Sequence, residues 1–495
     1  MHKLASIASA STFTVTGVVA LLFLFGSCAA ATLSSNPPGR SEANLTEMRL
    51  PSLTITGMTQ VNEDGRDVIC GKMEVRAYES TTVAAGYPKV PQGPVLQTMN
   101  VAFATRGQSS QAFPKKSLSL ELRDQADPLR GKSQPLLGLP GENDFVLHSL
   151  FSDKSMMRNL IAYRLGGEIM DWSPRTRLVE LWGSQPDGAL NNTIYQGIYL
   201  LCEKIKIDDN RVAVTPLTIF DNTEPAVTGG YLLRIDWDSN SDWHPTTGTG
   251  NLEVVEPNKT TITEAQQNYV ESFFHDLETS LASTPVGNWR EYLDQRSFID
   301  FMLLNELLLN VDGYRLSTYL YKERNGKLKA GPPWDFDLGS GNDGRSVDTD
   351  RWEILRQIDP TFLQNDGPAP ASWWCEMLHD QAFRTALRQR WKALRSSSFS
   401  NSHLKSLIND AVDELRPAVN RNFARWPSLT SHDDTWWTPM PIPGSSADSS
   451  SYTYDDHLDW FERWLNARVA WMDSDASWKV LDDWAASSAL HLVYD

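Results

Sequence analysis

Asp312, Asp335 and Asp337 are the residues of this chain whose type and spacing best suit chemistry. Asp312 closes an apolar helical run, NELLLNVDG, which fixes it near an interior rather than on a loose tip. Asp335 and Asp337 stand two apart in GPPWDFDLGSGN, beside a glycine-rich turn. Residues at that spacing share one side of an extended stretch. Hard divalent cations take carboxylate oxygens. Phosphoryl transfer needs cations against the phosphate charge and a positioned group at the attacking hydroxyl. The pair can hold metal while Asp312 accepts or orients a hydroxyl proton. The competing reading makes all three turn aspartates that cap backbone N–H groups.

The basic candidates lie upstream. In FPKKSLSLEL, Leu118, Leu120 and Leu122 share a strand face, and Lys116 has the same parity. Lys115 or Lys116 can therefore bring an ammonium to a phosphate, or snorkel to solvent. Arg158, in SMMRN, suits a phosphate or a neighbouring carboxylate. Glu203 ends the strand pattern YQGIYLLCE and can meet a nucleotide, a cation or water. Gly197 inside that strand marks a close backbone approach. RGQSS, Arg106 to Ser110, is the nearest thing to a phosphate loop. No Walker A motif is present, because Pro114 precedes the lysine pair and removes a backbone N–H.

These groups need elements to hold them. Strands are expected at Ser52–Ile55, Val68–Ala77, Val101–Thr105, Ser117–Leu122, Thr176–Trp182 and Ile194–Cys202. A helix capped by Asp153 carries Met157, Leu160, Ile161 and Leu165. Downstream the periodicity turns helical: from Thr263, over Phe298–Leu309 (apolar nearly all round, hence buried), and over Ala382–Leu394, His403–Leu415 and Asp456–Met472. The expected layout is α+β, with a β-rich lobe over 49–215, a helical lobe over 216–474 and a tail over 475–495.

The chain has 495 residues, 41% hydrophobic and 22% charged, a globular composition long enough for two lobes. A net charge of -17 argues against nucleic acid as a partner. Residues 1–31 read as an export signal: Lys3, then an apolar run from Val15 to Phe25 too short for a membrane span. Ala29 and Ala31 offer a cleavage site, whereas Cys28 in FGSC resembles a lipobox, so release and lipid anchoring both stay open. Residues 32–48 read as a tether. Cys70, Cys202 and Cys375 form no disulfide framework.

The segments KKSLSLEL, SMMRNLIAYRL, YQGIYLLCEKIKID, GGYLLRID, NELLLNVDGYRLSTYLYK, GPPWDFDLGSGN and NRNFARW resemble, in order, those of the CotH family. That resemblance spans about residues 49–474. It implies a two-lobed, atypical protein-kinase-like fold and a secreted or surface-exposed kinase using ATP with Mg²⁺ or Mn²⁺ on protein Ser or Thr. By motif, Asp312 matches the catalytic aspartate and Asp335 the metal-binding one. Asp337 and Asn342 support the same loop, and Lys115 or Lys116 contacts ATP phosphate. Arg158 and Glu203 fall in matching segments without an assigned role. The Asn that binds a second metal five residues after a kinase's catalytic Asp is Ser317 here. That departure leaves open a pseudokinase serving as a coat scaffold or adhesin.

Other chemistries lack their signatures. Eighteen Trp and paired carboxylates raise a carbohydrate-active enzyme, but glycosidases need carboxylates opposed across a sugar. There is no HExxH, no G-x-S-x-G and no strand-borne G-x-G-x-x-G.

Overall fold

In a computed structural model the protein is described at residues 50–58, 67–77, 93–184, 193–237, 252–283, 287–365, 370–429, 441–445, 447 and 449–487. The expected export signal and tether lie outside these residues, as does most of the Pro/Ser/Trp-rich connection after Ser428.

Alternating apolar residues build the first half. The strands are β1 (Ser52–Thr56), β2 (Ile69–Arg76), β3 (Val95–Arg106), β4 (Ser117–Arg123), β5 (Gln134–Leu136), β6 (Leu139–Glu142) and β7 (Asp144–His148). After helix α1 (Arg158–Ile169) come β8 (Thr176–Ser184) and β9 (Ile194–Glu203). Seven of them close a barrel in the order β1-β2-β3-β4-β7-β9-β8. The parallel pairing of β1 with β8, Leu53 opposite Leu181, completes the ring. Closure leaves no unpaired edge. Leu53, Phe103, Leu118, Leu120, Leu122, Leu147 and Leu201 fill the interior. Strand β7 was not expected from the sequence, because Pro140, Gly141 and Asn143 break the apolar pattern before DFVLH.

The second half is not purely helical. Strands β10 (Tyr231–Ile235) and β11 (Leu252–Glu256) precede α2 (Glu264–Ala282) and α3 (Gln295–Leu308). Then follow β12 (Thr318–Lys322) and β13 (Leu328–Ala330), giving a four-stranded sheet ordered β11-β10-β12-β13. The remainder is α4 (Glu353–Gln357), α5 (Pro360–Asn365), α6 (Ser372–His379), α7 (Gln381–Arg395), α8 (Asn401–Arg425), α9 (Tyr454–Asp473) and α10 (Asp475–Ala486). Every residue of α3 from Phe298 to Leu308 is buried, as its unbroken apolar face requires. The region written as a tail contains α10, which packs on α9, α6 and α7. Trp289, Trp352, Trp373, Trp374, Trp391, Trp464 and Trp478 are core residues, so these seven offer no sugar platform. Cys202 and Cys375 are buried and Cys70 is exposed. No described helix is long and apolar enough to cross a membrane.

One residue sets the axis of the second half. Glu306 of α3 is fully buried and accepts hydrogen bonds from the backbone N–H of Glu353 (2.7 Å) and Ile354 (2.9 Å) and from Tyr314 Oη (3.1 Å). Arg468 of α9, also fully buried, completes the shell at 3.2 Å. The carboxylate thus joins α3, α9, the start of α4 and the loop that carries Asp312.

Candidate active site

A cleft of about 680 Å³ opens at one end of the barrel. Its upper wall is the end of β3, the turn after it, the start of β4 and the end of β7. Its floor is the loop after α3, the 334–338 segment and the end of β10. Asp312, Ser317, Asp335 and Asp337 all line it.

The two aspartate loops are held in costly conformations. Leu309, Tyr314, Ser317, Asp335 and Ser340 all have positive φ without being glycine. Such strain persists only where the surroundings over-determine it, and here they do. Ser340 donates through its N–H (2.7 Å) and its hydroxyl (3.1 Å) to Leu308 O at the end of α3. Gly339 is needed at that crossing, since a Cβ would lie 2.6 Å from Leu308 O. From the other side, Asn159 Oδ1 accepts the Phe336 N–H at 2.6 Å, and Tyr163 Oη accepts the Asp335 N–H at 3.2 Å.

Electrostatics at the floor are unfavourable without a cation. Burial, then the charges of Asp337 and Asp312, pushes the Asp335 carboxyl well above its ordinary range. Burial also raises Asp337, against the hydrogen bond it accepts from Ser152 Oγ. Burial raises Asp312, opposed by Arg315, whose Nη2 lies 2.9 Å from Asp312 Oδ1. Among the described residues no side chain hydrogen-bonds or ion-pairs with the Asp335 carboxylate. Nor do three acidic, His or Cys side chains form a ready-made metal cage among them. Magnesium does not need one: it binds through one or two carboxylates plus substrate phosphates and keeps its waters. Asp335 and Asp337 fit that role.

Lys115, Lys116, Arg158 and Glu203 do not line the cleft. Lys115 is 1% exposed and turned into the barrel–α8 seam, where Nζ donates to Ile198 O (2.5 Å) and Asn422 Oδ1 (2.9 Å). Burial, then the Lys154 charge, holds its pKa well below the usual lysine range. Gly197 explains the approach: at φ 101° it leaves room where a Cβ would lie 2.6 Å from Asn422 Oδ1 and 3.1 Å from Lys115 Nζ. Lys116 donates to Gln111 O at 2.7 Å and so braces the turn after β3. Arg158 is buried against Asp153 and donates to Gly339 O (3.1 Å) and Ser340 O (3.0 Å), holding the aspartate loop from behind. Asp153 does not cap α1 as its first residue; its Oδ2 accepts the Arg158 N–H at 2.8 Å. Glu203 is buried under Arg175, which donates to it at 2.7 and 2.8 Å. Asn342 does not line the cleft; its Nδ2 donates to Asp337 O (2.6 Å) and Ser152 O (3.2 Å) and so braces the aspartate loop. Each of these five is a positioning group, for the same reason: buried donors and acceptors must be paired.

Two cations line the cleft among the described residues, Arg234, which pairs with Glu253 and Asp236, and Arg106. Arg106 leans over Trp334 at 5.2 Å, and its Nη1 is buried without a hydrogen-bond partner. Its charge also acts on Asp335. Beside it His148, 9% exposed and 4.9 Å from Trp334, has Nε2 likewise unpartnered. Arg106 belongs to the RGQSS turn, the weak phosphate-loop candidate; nothing in the sequence singled out His148.

A CotH kinase protein family model matches residues 103–472. The chain belongs to the CotH kinase family. Comparison with curated proteins yields no match. The CotH match begins inside β3 and ends inside α9, so it contains the whole floor of the cleft, the Arg106 turn and the Asn422 seam. Membership makes this a kinase-like protein and gives the cleft its family context.

Two outcomes follow from this geometry. Arg158→Met should lower stability by about 3–5 kcal/mol, because it strands the buried Asp153. Urea denaturation measures this, and a change below about 1 kcal/mol would mean that Arg158 is not integral to the loop. Burial, then the Arg106 charge, lowers the His148 pKa from 6.5 to about 3. The unfolded chain therefore binds the extra proton as pH falls from about 6.5 towards 3, and that stability, present above 6.5, is lost. His148→Phe should flatten the acid limb of the stability–pH curve; an unaltered limb would locate acid sensitivity elsewhere.

Proposed function

We propose that this CotH-family protein is an exported atypical protein kinase that transfers the γ-phosphate of ATP to Ser or Thr of a secreted or envelope protein. The barrel forms the first lobe, the region from β10 onward the second, and the cleft lies between them. One observation carries the reading: Arg106, whose buried Nη1 has no hydrogen-bond partner, shares the cleft with Asp312, Asp335 and Asp337, and Asp335 has no ion pair among the described residues. Opposite charges across a cleft suit a ligand carrying both, a cation–polyphosphate complex.

Asp335 and Asp337 would hold the divalent cation, which when bound offsets phosphate charge and polarises the transferring group. Arg106 binds a phosphate oxygen through its free Nη1. Asp312, fixed by Arg315, orients the acceptor hydroxyl and takes up its proton as the new P–O bond forms and the bond to the β-phosphate oxygen breaks. Burial of Asp312 favours the protonated form and so makes it a better base than a solvent-exposed aspartate. The Ser317 departure favours one competing reading, a weakly active or inactive relative working as a surface scaffold, with anchoring through Cys28 one route to the envelope.

The direct test is phosphate transfer from γ-labelled ATP with Mg²⁺ or Mn²⁺, to the protein itself and to a generic acceptor. Transfer supports the kinase; metal-dependent ATP binding without transfer supports the scaffold. Neither binding nor transfer overturns both nucleotide readings. Arg106→Met should weaken ATP binding by roughly 10–100-fold, the worth of a charged hydrogen bond of about 1.5–3 kcal/mol. Lys115→Met should lower the melting temperature and leave ATP affinity in place. The reverse pattern would return the phosphate contact to Lys115.

A further inference from the structure

β10 and β12 run antiparallel, with Arg234 opposite Tyr319 and Ile235 opposite Thr318. Asp236 directly follows β10 and Ser317 directly precedes β12, so both leave the same end of this strand pair. Both residues line the cleft, together with Asp312 and Asp335. Ser317 stands where a protein kinase places the Asn that binds a second cation. Its hydroxyl is a poor substitute, being neutral and weakly basic. The segment after the neighbouring strand does carry a carboxylate on the cleft, Asp236.

We propose that Asp236 is the ligand of a second divalent cation in this cleft, replacing the amide that Ser317 lacks. The inference rests on the nucleotide-binding reading above. Asp236 is 22% exposed, and its one cation, Arg234, is shared: Arg234 Nη2 bonds Glu253 Oε2 at 2.7 Å, while its Nε lies 3.3 Å from Asp236 Oδ2. That Nε makes no hydrogen bond, and Oδ1 accepts only the Trp237 N–H at 2.9 Å among the described residues, so Asp236 keeps lone pairs for a metal. Its charge acts on both Asp312 and Asp335, which places it within electrostatic reach of the floor carboxylates. The cleft independently asks for a ligand: His148, 9% exposed, has its Nε2 unpartnered on the wall. A hard cation accepts such a mixed set, one or two carboxylates per ion with phosphate and water completing the shell.

The test counts Mn²⁺ by electron paramagnetic resonance on the full chain, with a non-hydrolysable ATP analogue whose binding is followed separately by fluorescence. Wild type should hold two Mn²⁺ per nucleotide. Asp236→Ala should weaken one of them by about 10–100-fold or more, since even an outer partner of a metal ligand is worth that much. The double variant Asp236→Ala/Ser317→Asn should regain the second ion. Position 317 has φ 48°, a left-handed conformation that Asn tolerates well, so this variant also controls for misfolding. Two tightly held ions in Asp236→Ala, or a single ion in wild type, would overturn the proposal while leaving nucleotide binding intact. Absence of nucleotide and Mn²⁺ binding in wild type would overturn the kinase reading along with it.

Discussion

Asp335→Ala is expected to abolish metal-dependent ATP binding and, with it, phosphate transfer. The cation it would hold is worth several kcal/mol to the transition state, so a loss of roughly 10³-fold or more in transfer follows, each 1.36 kcal/mol being tenfold. Asp335 sits at φ 64°, where alanine is strained. Asp335→Asn therefore belongs alongside: asparagine tolerates that backbone and keeps an oxygen but loses the charge. Loss in both variants, with folding intact by circular dichroism, assigns the effect to the missing charge. Loss in alanine alone assigns it to the backbone. Unchanged activity in both would remove Asp335 from the site. Removing the charge should also stabilise the resting protein, because burial and the charges of Asp337 and Asp312 now disfavour the ionised form.

Asp312→Ala should lower transfer by about 10²–10⁴-fold, the usual worth of a positioned acid–base group, with ATP affinity largely preserved. The expectation separates Asp312 from Asp335 although both line one cleft. Asp312 already has a cation, Arg315 at 2.9 Å, and so has less need of a metal. Arg315 keeps its bond to Val311 O (3.1 Å) and its place over Phe362 (5.0 Å) when Asp312 is gone, which limits the structural damage. An equal loss of ATP affinity and transfer would make Asp312 a cation ligand. In that case the acceptor hydroxyl would have to be activated by another group.

Much of the site can be read directly from the chain. The aspartates are legible because their context is local: Asp312 follows a helix apolar on every face, and Asp335 and Asp337 share a short segment bounded by Pro333 and Gly339. The barrel strands with clean alternation, such as Ser117–Arg123, are legible for the same reason. β7 is not, since Pro140 and Gly141 interrupt the pattern before it, and His148 at its end was missed with it.

What the sequence by itself determined is the family and the three candidate carboxylates that line the cleft, both carried by contiguous motifs. Only the tertiary structure decided which charges face them. Lys115, Lys116, Arg158 and Glu203 have the right chemistry and lie in the right segments, yet each is committed to a partner elsewhere: Asn422 is 307 residues from Lys115, and Gly339 is 181 from Arg158. Arg106 and Asp236, less conspicuous in sequence, line the cleft because they stand at the ends of β3 and β10, which open onto it. A buried polar group goes where its hydrogen bonds can be satisfied. That accounting is nonlocal, and no local pattern of residues contains it.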